Sequence, residues 1–197
     1  MKNTDTKTQL LDAAQELVQT RGYNAFSYKD LAERIGIRTA SIHYHFKAKN
    51  DLGEALIARY VAGLEEALAD IDGAHESAKA RLEALIGNYR DTESQGVICL
   101  CGSLAADLMT LGAEVQGSVR RYLEMTSGWI EKTLRYGVQR GEFSKDLPIE
   151  DVAATLSASL QGALLVSRAT PGAPLAVDQV ERTLGLLLAR PGRALQA

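Results

Sequence analysis

Apolar side chains return every three or four residues along nearly the whole chain, and nowhere do they keep up the two-residue alternation of a strand. Leu10, Leu11, Ala14, Leu17 and Val18 mark a first helix, opened by Thr6 or Thr8 and closed at Gly22, which can take the positive φ of a C-terminal cap. Ser27, with Asp30 three residues on, opens a short second helix whose inner face is Leu31, Ala32 and Ile35, and Gly36 stops it. A third runs from Arg38 to Phe46, with Ile42 and Phe46 four apart and therefore on one side. Next come a long fourth helix from Asn50 or Asp51 to Gly73, a fifth over "ESAKARLEALIGNYRDTES", a short sixth over "CGSLAADLMTL" and the longest, the seventh, from about Ala113 to Gln139. Pro148 is tolerated in the first turn of the eighth, "PIEDVAATLSASLQGALLVSRA"; "TPGAP" separates it from the ninth, "AVDQVERTLGLLLAR", and "PGRALQA" reads as a frayed tail. The expectation is an all-α fold of about nine helices.

Composition agrees with that pattern. Hydrophobic residues make up 46% and charged residues 24% of 197, the balance of a globular protein with a buried core, and four prolines leave helices largely uninterrupted. The start "MKNTDTKTQL" has no apolar leader. The most apolar stretch, "VAATLSASLQGALLV", is too short to cross a bilayer and carries Gln161 and three hydroxyls, so a cytoplasmic protein without membrane contact is expected. Net charge is −3, but residues 1 to 50 hold eight Lys or Arg against five Asp or Glu, leaving the N-terminal quarter as the face able to meet a polyanion. So slight a surplus excludes a non-specific architectural DNA binder. No phosphate-binding glycine loop, serine elbow, HExxH or paired carboxylates point to an enzyme, and no cofactor is implied.

Residues 28 to 46 supply a function. Ala32 lets two short helices approach, Gly36 makes the tight turn between them, and Ile42 points back into their shared core, the packing requirement of a helix-turn-helix. Burying Ile42 and Phe46 turns Thr39, His43 and Tyr44 outwards, flanked by Ser41 and His45, as donors, acceptors and flat rings suited to base edges and phosphates. His43 and His45 make a poor metal pair, since side chains two apart on a helix diverge. "FSYKDLAERIGIRTASIHYHFKAKNDL", residues 26 to 52, resembles the signature of the tetracycline-repressor (TetR) family, and helix number and length are similar across nearly the whole chain. The resemblance implies a three-helix DNA-binding domain at 1–50 and a larger helical effector-binding and dimerisation domain at 51–197. It implies phosphate contacts at Ser27, Tyr28, Lys29 and Lys49, base or phosphate readers at Arg38, Thr39 and Ser41, and an aromatic against the backbone at Tyr44. Position 43 departs from the pattern, where tyrosine is frequent, and His45 is open between phosphate contact and packing.

One recognition helix spans too few base pairs to select a genomic site, so a homodimer on a palindromic operator is expected. Ala154, Ala158, Gly162 and Val166 form a ridge of small side chains in the eighth helix, and Val180, Leu184 and Leu187 a stripe in the ninth, which in such a family pair with a second copy; the same stripes can instead seal the protomer's own core. A small-molecule effector, apolar or aromatic, would meet Tyr122, Met125 and Trp129 of the seventh helix with Tyr89, Leu104, Met109 and Gln161, unless that stripe is plain core. Cys99 and Cys101, at the entrance to the sixth helix, offer an alternative switch, because a helix N-terminus lowers a thiol pKa. The resulting expectation is a repressor released by its effector. A regulator switched by thiol modification, or one with no ligand response, stands as the alternative.

Overall fold

The computed structural model of the chain describes residues 5–171 and 175–188; most of "TPGAP" and the expected frayed tail "PGRALQA" lie outside the described residues. Among the described residues there are nine α-helices and no strand: α1 (Thr6–Arg21), α2 (Tyr28–Ile35), α3 (Thr39–His45), α4 (Lys49–Ala74), α5 (Ala78–Ser94), α6 (Leu100–Ala106), α7 (Ala113–Gln139), α8 (Ile149–Ala169) and α9 (Ala176–Leu188). The fold is all-α, an N-terminal helix-turn-helix followed by a larger helical domain. Helical periodicity located every helix. It gave no sign of two single 3₁₀ turns, at Tyr23–Ala25 and Leu108–Thr110. The second of these ends α6 earlier than its apolar pattern suggests, for Asp107 turns its carboxylate to the backbone N–H groups of Tyr23 (3.0 Å) and Asn24 (3.4 Å).

Two compact units result. The first holds the described residues up to Leu64 together with Cys99–Tyr122; the second holds Glu65–Ile98 and the described residues from Leu123 on. In the first, Leu10, Val18, Leu31 and Ile42 of α1 to α3 are fully or almost fully buried, as are Leu52 and Leu56 of α4 and Leu100 and Leu104 of α6. Each such side chain contributes about 1.5–3 kcal/mol. The unit therefore takes in more than residues 1 to 50, and buried and polar bonds show why. Ser103 Oγ donates to the Val18 carbonyl at 2.9 Å, Asn24 Nδ2 to Thr110 Oγ1 at 2.9 Å, and the Gly112 amide to Asn50 Oδ1 at 3.2 Å.

In the second unit α5, α8 and α9 pack together, and one turn of α5 fastens both partners. Tyr89 OH accepts from Gln161 Nε2 of α8 at 3.0 Å. Arg90 bridges to Asp178 (2.7 Å) and Glu181 (2.6 Å) of α9. Glu93, a buried carboxylate, accepts from the backbone N–H groups of Ala176 (2.7 Å) and Val177 (3.2 Å), neutralising the positive end of α9. Gly137 is required within α7, since a Cβ there would run into the Phe143 ring and lie 2.8 Å from the Ala78 methyl.

Helix α8 corrects one expectation. Extending beyond the apolar stretch at both ends, it is long and apolar enough to cross a membrane by length and composition. Its inward side, including Val152, Leu156, Leu160 and Leu164, is buried against neighbouring helices, as in a core helix.

Candidate nucleic-acid interface and its companion apolar face

The N-terminal helix-turn-helix head is set by two local devices. At the start of α2 the Ser27 amide donates to Asp30 Oδ2 (2.7 Å) while Ser27 Oγ accepts from the Asp30 amide (3.3 Å), closing a capping box; the hydrogen bonds from Ser27 hold the Asp30 carboxyl below its ordinary pKa. At its end Gly36 adopts φ 75°, ψ 33°, a left-handed conformation that costs glycine little, and its amide returns to the Ala32 carbonyl at 2.9 Å. The chain then reverses into α3, whose Ile42, together with Phe46 just beyond it, is buried.

That burial decides what faces water. Arg38, Ser41, His43 and Tyr44 are exposed, Thr39 and His45 half-buried, and Tyr44 stands 86% exposed with its ring edge-on to His45 at 5.1 Å. The Arg38 side chain has no partner among the described residues, and Lys29 makes only a loose surface pair with Glu33 at 3.9 Å. Lys7, which the spacing did not single out, brings a further exposed cation to the end of α3, its Nζ 5.9 Å from the Phe46 ring centroid.

Other residues expected to touch phosphate are engaged within the protein. Ser27 is committed to its cap. Tyr28 OH donates to the Ala48 carbonyl at 2.6 Å and lies 3.1 Å from that of Phe46, tying α2 to the turn before α4; burial raises its pKa to about 12. Lys49 departs furthest from expectation. Its Nζ donates to the carbonyls of Tyr23 and Phe26 and sits over both rings at 4.6 and 4.2 Å, and burial lowers its pKa. It is a fastener of the head, with two of its three ammonium donors taken up by backbone carbonyls.

In the second unit the small-residue ridge of α8 faces outwards. Ala154, Ala158, Leu165 and Val166 are exposed and Gly162 is half-buried; on α9 Leu186 and Leu187 are exposed and Val180 half-buried, while Leu184 points inwards. A groove of about 360 Å³ runs between the two helices, with Leu184 in its lining and Thr155, Ser159, Val166, Val180 and Leu187 around it.

The residues expected to line an effector pocket divide between the units. In the first, Tyr122 stacks on Tyr60 at 5.2 Å, and Cys99 Sγ lies 3.6 Å from Tyr60 OH and 3.7 Å from Tyr122 OH. Burial, then the neighbouring Cys99, pushes the Tyr60 phenol well above its ordinary pKa. Leu104 is fully buried. Met109 is 89% exposed in the 3₁₀ turn, which carries it into water rather than onto a wall. The expected lowering of a thiol pKa at the start of α6 is reversed at Cys101, where burial raises it, and Cys99 is buried too. In the second unit Tyr89 meets Gln161, Met125 is half-buried, and the Trp129 indole donates to Asp72 Oδ2 at 3.3 Å. Among the described residues no group of three or more His, Cys, Asp or Glu is placed to hold a metal ion.

Comparison with known proteins agrees with this layout. Residues 10–56 match the family described as bacterial regulatory proteins, tetR family, and residues 78–184 match the tetracyclin repressor-like C-terminal domain. The transcriptional repressor DhaR of Mycobacterium sp. is 24% identical over 84% of this chain and 83% of its own length. The transcriptional regulator BetI of Cronobacter sakazakii is 29% identical over 90% and 86%. A TetR transcriptional regulator from Legionella pneumophila superposes with a TM-score of 0.86 at 29% identity, covering 96% of this chain and all of that one.

Proposed function

We propose that this protein, which belongs to the TetR family of bacterial transcriptional regulators, is a cytoplasmic repressor that binds a palindromic operator as a homodimer and is released by a small apolar or aromatic effector. The observation that carries the reading is α3 itself: Ile42 and Phe46 are sealed in the head while Arg38, Ser41, His43 and Tyr44 project from it without cover. Donors and rings on a short, rigid helix are what major-groove recognition uses, and exposed Lys29, Lys47 and Lys7 surround them with positive charge for phosphates. Two such helices must lie about 34 Å apart to enter successive major grooves. The α8–α9 face, apolar and exposed in the protomer, supports pairing with a second copy.

The switch works through the first unit. Asp107, Thr110 and Gly112 grip Tyr23, Asn24 and Asn50, and Ser103 grips α1, so a displacement of α6 carries the head with it in addition to any movement along α4. An effector that favours the misplaced heads by a few kcal/mol suffices to empty the operator. Burial raises the Cys101 pKa, which supports binding of an effector over modification of that thiol.

Selection of duplexes from a random pool tests the reading. An inverted repeat with half-sites about one helical turn apart is expected. Recovery of unrelated sequences, or a protein that sediments as a monomer while binding them, ends it. Titration of the selected operator with candidate effectors should then lower affinity; an affinity that rises identifies a co-repressor instead.

A further inference from the structure

We propose that His43 is the specificity-determining reader of an amine-bearing base, adenine or cytosine, which it recognises through an unprotonated Nε2. The inference rests on α3 entering the major groove, and it follows from how the imidazole is held.

His43 Nδ1 lies 3.2 Å from the carbonyl oxygen of Lys47. A carbonyl can only accept, so the ring proton resides on Nδ1, and the neutral ring keeps its lone pair on Nε2. Rotating the ring by half a turn would place a carbon against the carbonyl and forfeit the bond. Tyr28 packs against one side of the ring. Its ring meets the imidazole edge-on at 5.0 Å and 66°, and its own hydroxyl is pinned to the Ala48 and Phe46 carbonyls. The bond to Lys47 and the packing of Tyr28 thus fix both where the imidazole points and which nitrogen is bare. Nε2 has no partner among the described residues, and the side chain is exposed beside Tyr44 on the outward face of α3.

A bare acceptor has a narrow choice of partners in DNA. Phosphate oxygens accept, so they bond the ring only if Nε2 also carries a proton, the case that the salt slope below distinguishes. In the major groove guanine offers N7 and O6 and thymine O4, all acceptors that repel its lone pair, whereas adenine N6 and cytosine N4 carry amines that donate. His43 therefore separates adenine and cytosine from guanine and thymine at one position of each half-site, a choice that a hydroxyl or amide side chain, able both to give and to take a hydrogen bond, would not enforce.

The test combines a spectrum with a selection, in mildly alkaline buffer where imidazole is neutral. Long-range nitrogen–proton correlation spectra of the intact wild-type protein should show His43 protonated at Nδ1; a proton at Nε2 overturns the assignment. Selection from random duplexes with wild type should give one symmetric position per half-site restricted to adenine or cytosine. His43→Phe should relax that position alone, lowering affinity for the selected operator about ten- to hundredfold with the salt dependence unchanged. Tyr28→Phe, which keeps the ring but frees it from its anchors, should blur the same position partially and leave others intact. If His43→Phe weakens all sequences alike and flattens the salt slope by about one, His43 is a phosphate contact and the proposal is wrong. A guanine preference at that position also overturns it, since it requires a donor. Should wild type recover no inverted repeat, the premise that α3 reads DNA fails, independently of what the spectra report.

Discussion

The exposed face of α3 and the exposed face made by α8 and α9 are both built on a buried stripe, and they present opposite chemistry to water. Around Ile42 the outward residues are Arg38, Ser41, His43 and Tyr44, polar groups or rings with polar tips that water solvates at no penalty. Around Leu156 and Leu184 they are Ala158, Leu165, Val166, Leu186 and Leu187, and Leu186 alone is 79% exposed. Apolar surface left in water forgoes about 25 cal/mol for each Å², so the second face is incomplete in a single protomer while the first is at rest. A polar face can stay bare until its partner arrives. An apolar one gains by permanent cover, which is the physical reason to propose a reversible DNA contact for the first and a standing dimer for the second.

Substitutions can break the comparison in order of expected effect. Ile42→Ala empties a fully buried position and should cost about 2–5 kcal/mol in denaturant unfolding, with operator binding lost and dimerisation kept. A dimer lost along with it would mean the two faces are not separable. Val166→Asp combined with Leu187→Asp should yield a helical monomer in sedimentation, with operator affinity reduced on the order of a hundredfold or more because one head addresses one half-site. An unchanged dimer would relocate the interface.

A smaller change sharpens the second half. Glu93→Ala leaves the Ala176 and Val177 amides without their carboxylate and should lower stability by about 1–3 kcal/mol while weakening the dimer. Glu93→Gln, which retains an acceptor, should recover part of both; equal effects of the two variants would trace the stability to charge rather than to the bonds. Arg38→Ala should leave thermal stability within about 0.5 kcal/mol and lower DNA affinity, with the salt slope smaller by about one if Arg38 meets phosphate and a single base position relaxed if it meets a base.

Smallest is a pH effect confined to the head. The folded Asp30 carboxyl has its pKa held below the ordinary 3.8, so its contribution is fully present above that value and is lost as pH falls through the lowered one. Asp30→Asn should flatten the acid limb of the stability profile by that amount and leave neutral-pH dimerisation alone. An acid limb identical to wild type would show that the capping box does not persist in solution.

Much of this was legible without coordinates, for reasons specific to each element. Period and caps placed α1 to α9 because each helix buries one stripe and declares its ends locally, as Ser27 with Asp30 and Gly36 do. The outward set on α3 followed from Ile42 and Phe46 alone. The resemblance implies a phosphate contact at Lys49, whereas the fold brings its ammonium to the carbonyls of Tyr23 and Phe26, more than twenty residues away, which no local pattern announces. Met109 differs from its expected place in a pocket lining because the 3₁₀ turn at Leu108–Thr110, invisible to apolar spacing, exposes it. The cysteines were read from their place at a helix start, and burial outweighed that position at Cys101.

Sequence alone determined the helical class, the short third helix with its outward set and the two stripes at the C-terminal end, since periodicity and capping are short-range and each is written within a few turns of chain. Tertiary structure decided which polar groups remain available: Lys49, Tyr28 and Ser27 are bound inwards, Arg38 and His43 are left outward, and His43 Nδ1 is brought within 3.2 Å of the Lys47 carbonyl. A hydrogen-bonding group's role depends on which partner reaches it first, and most of those partners are brought there by the fold.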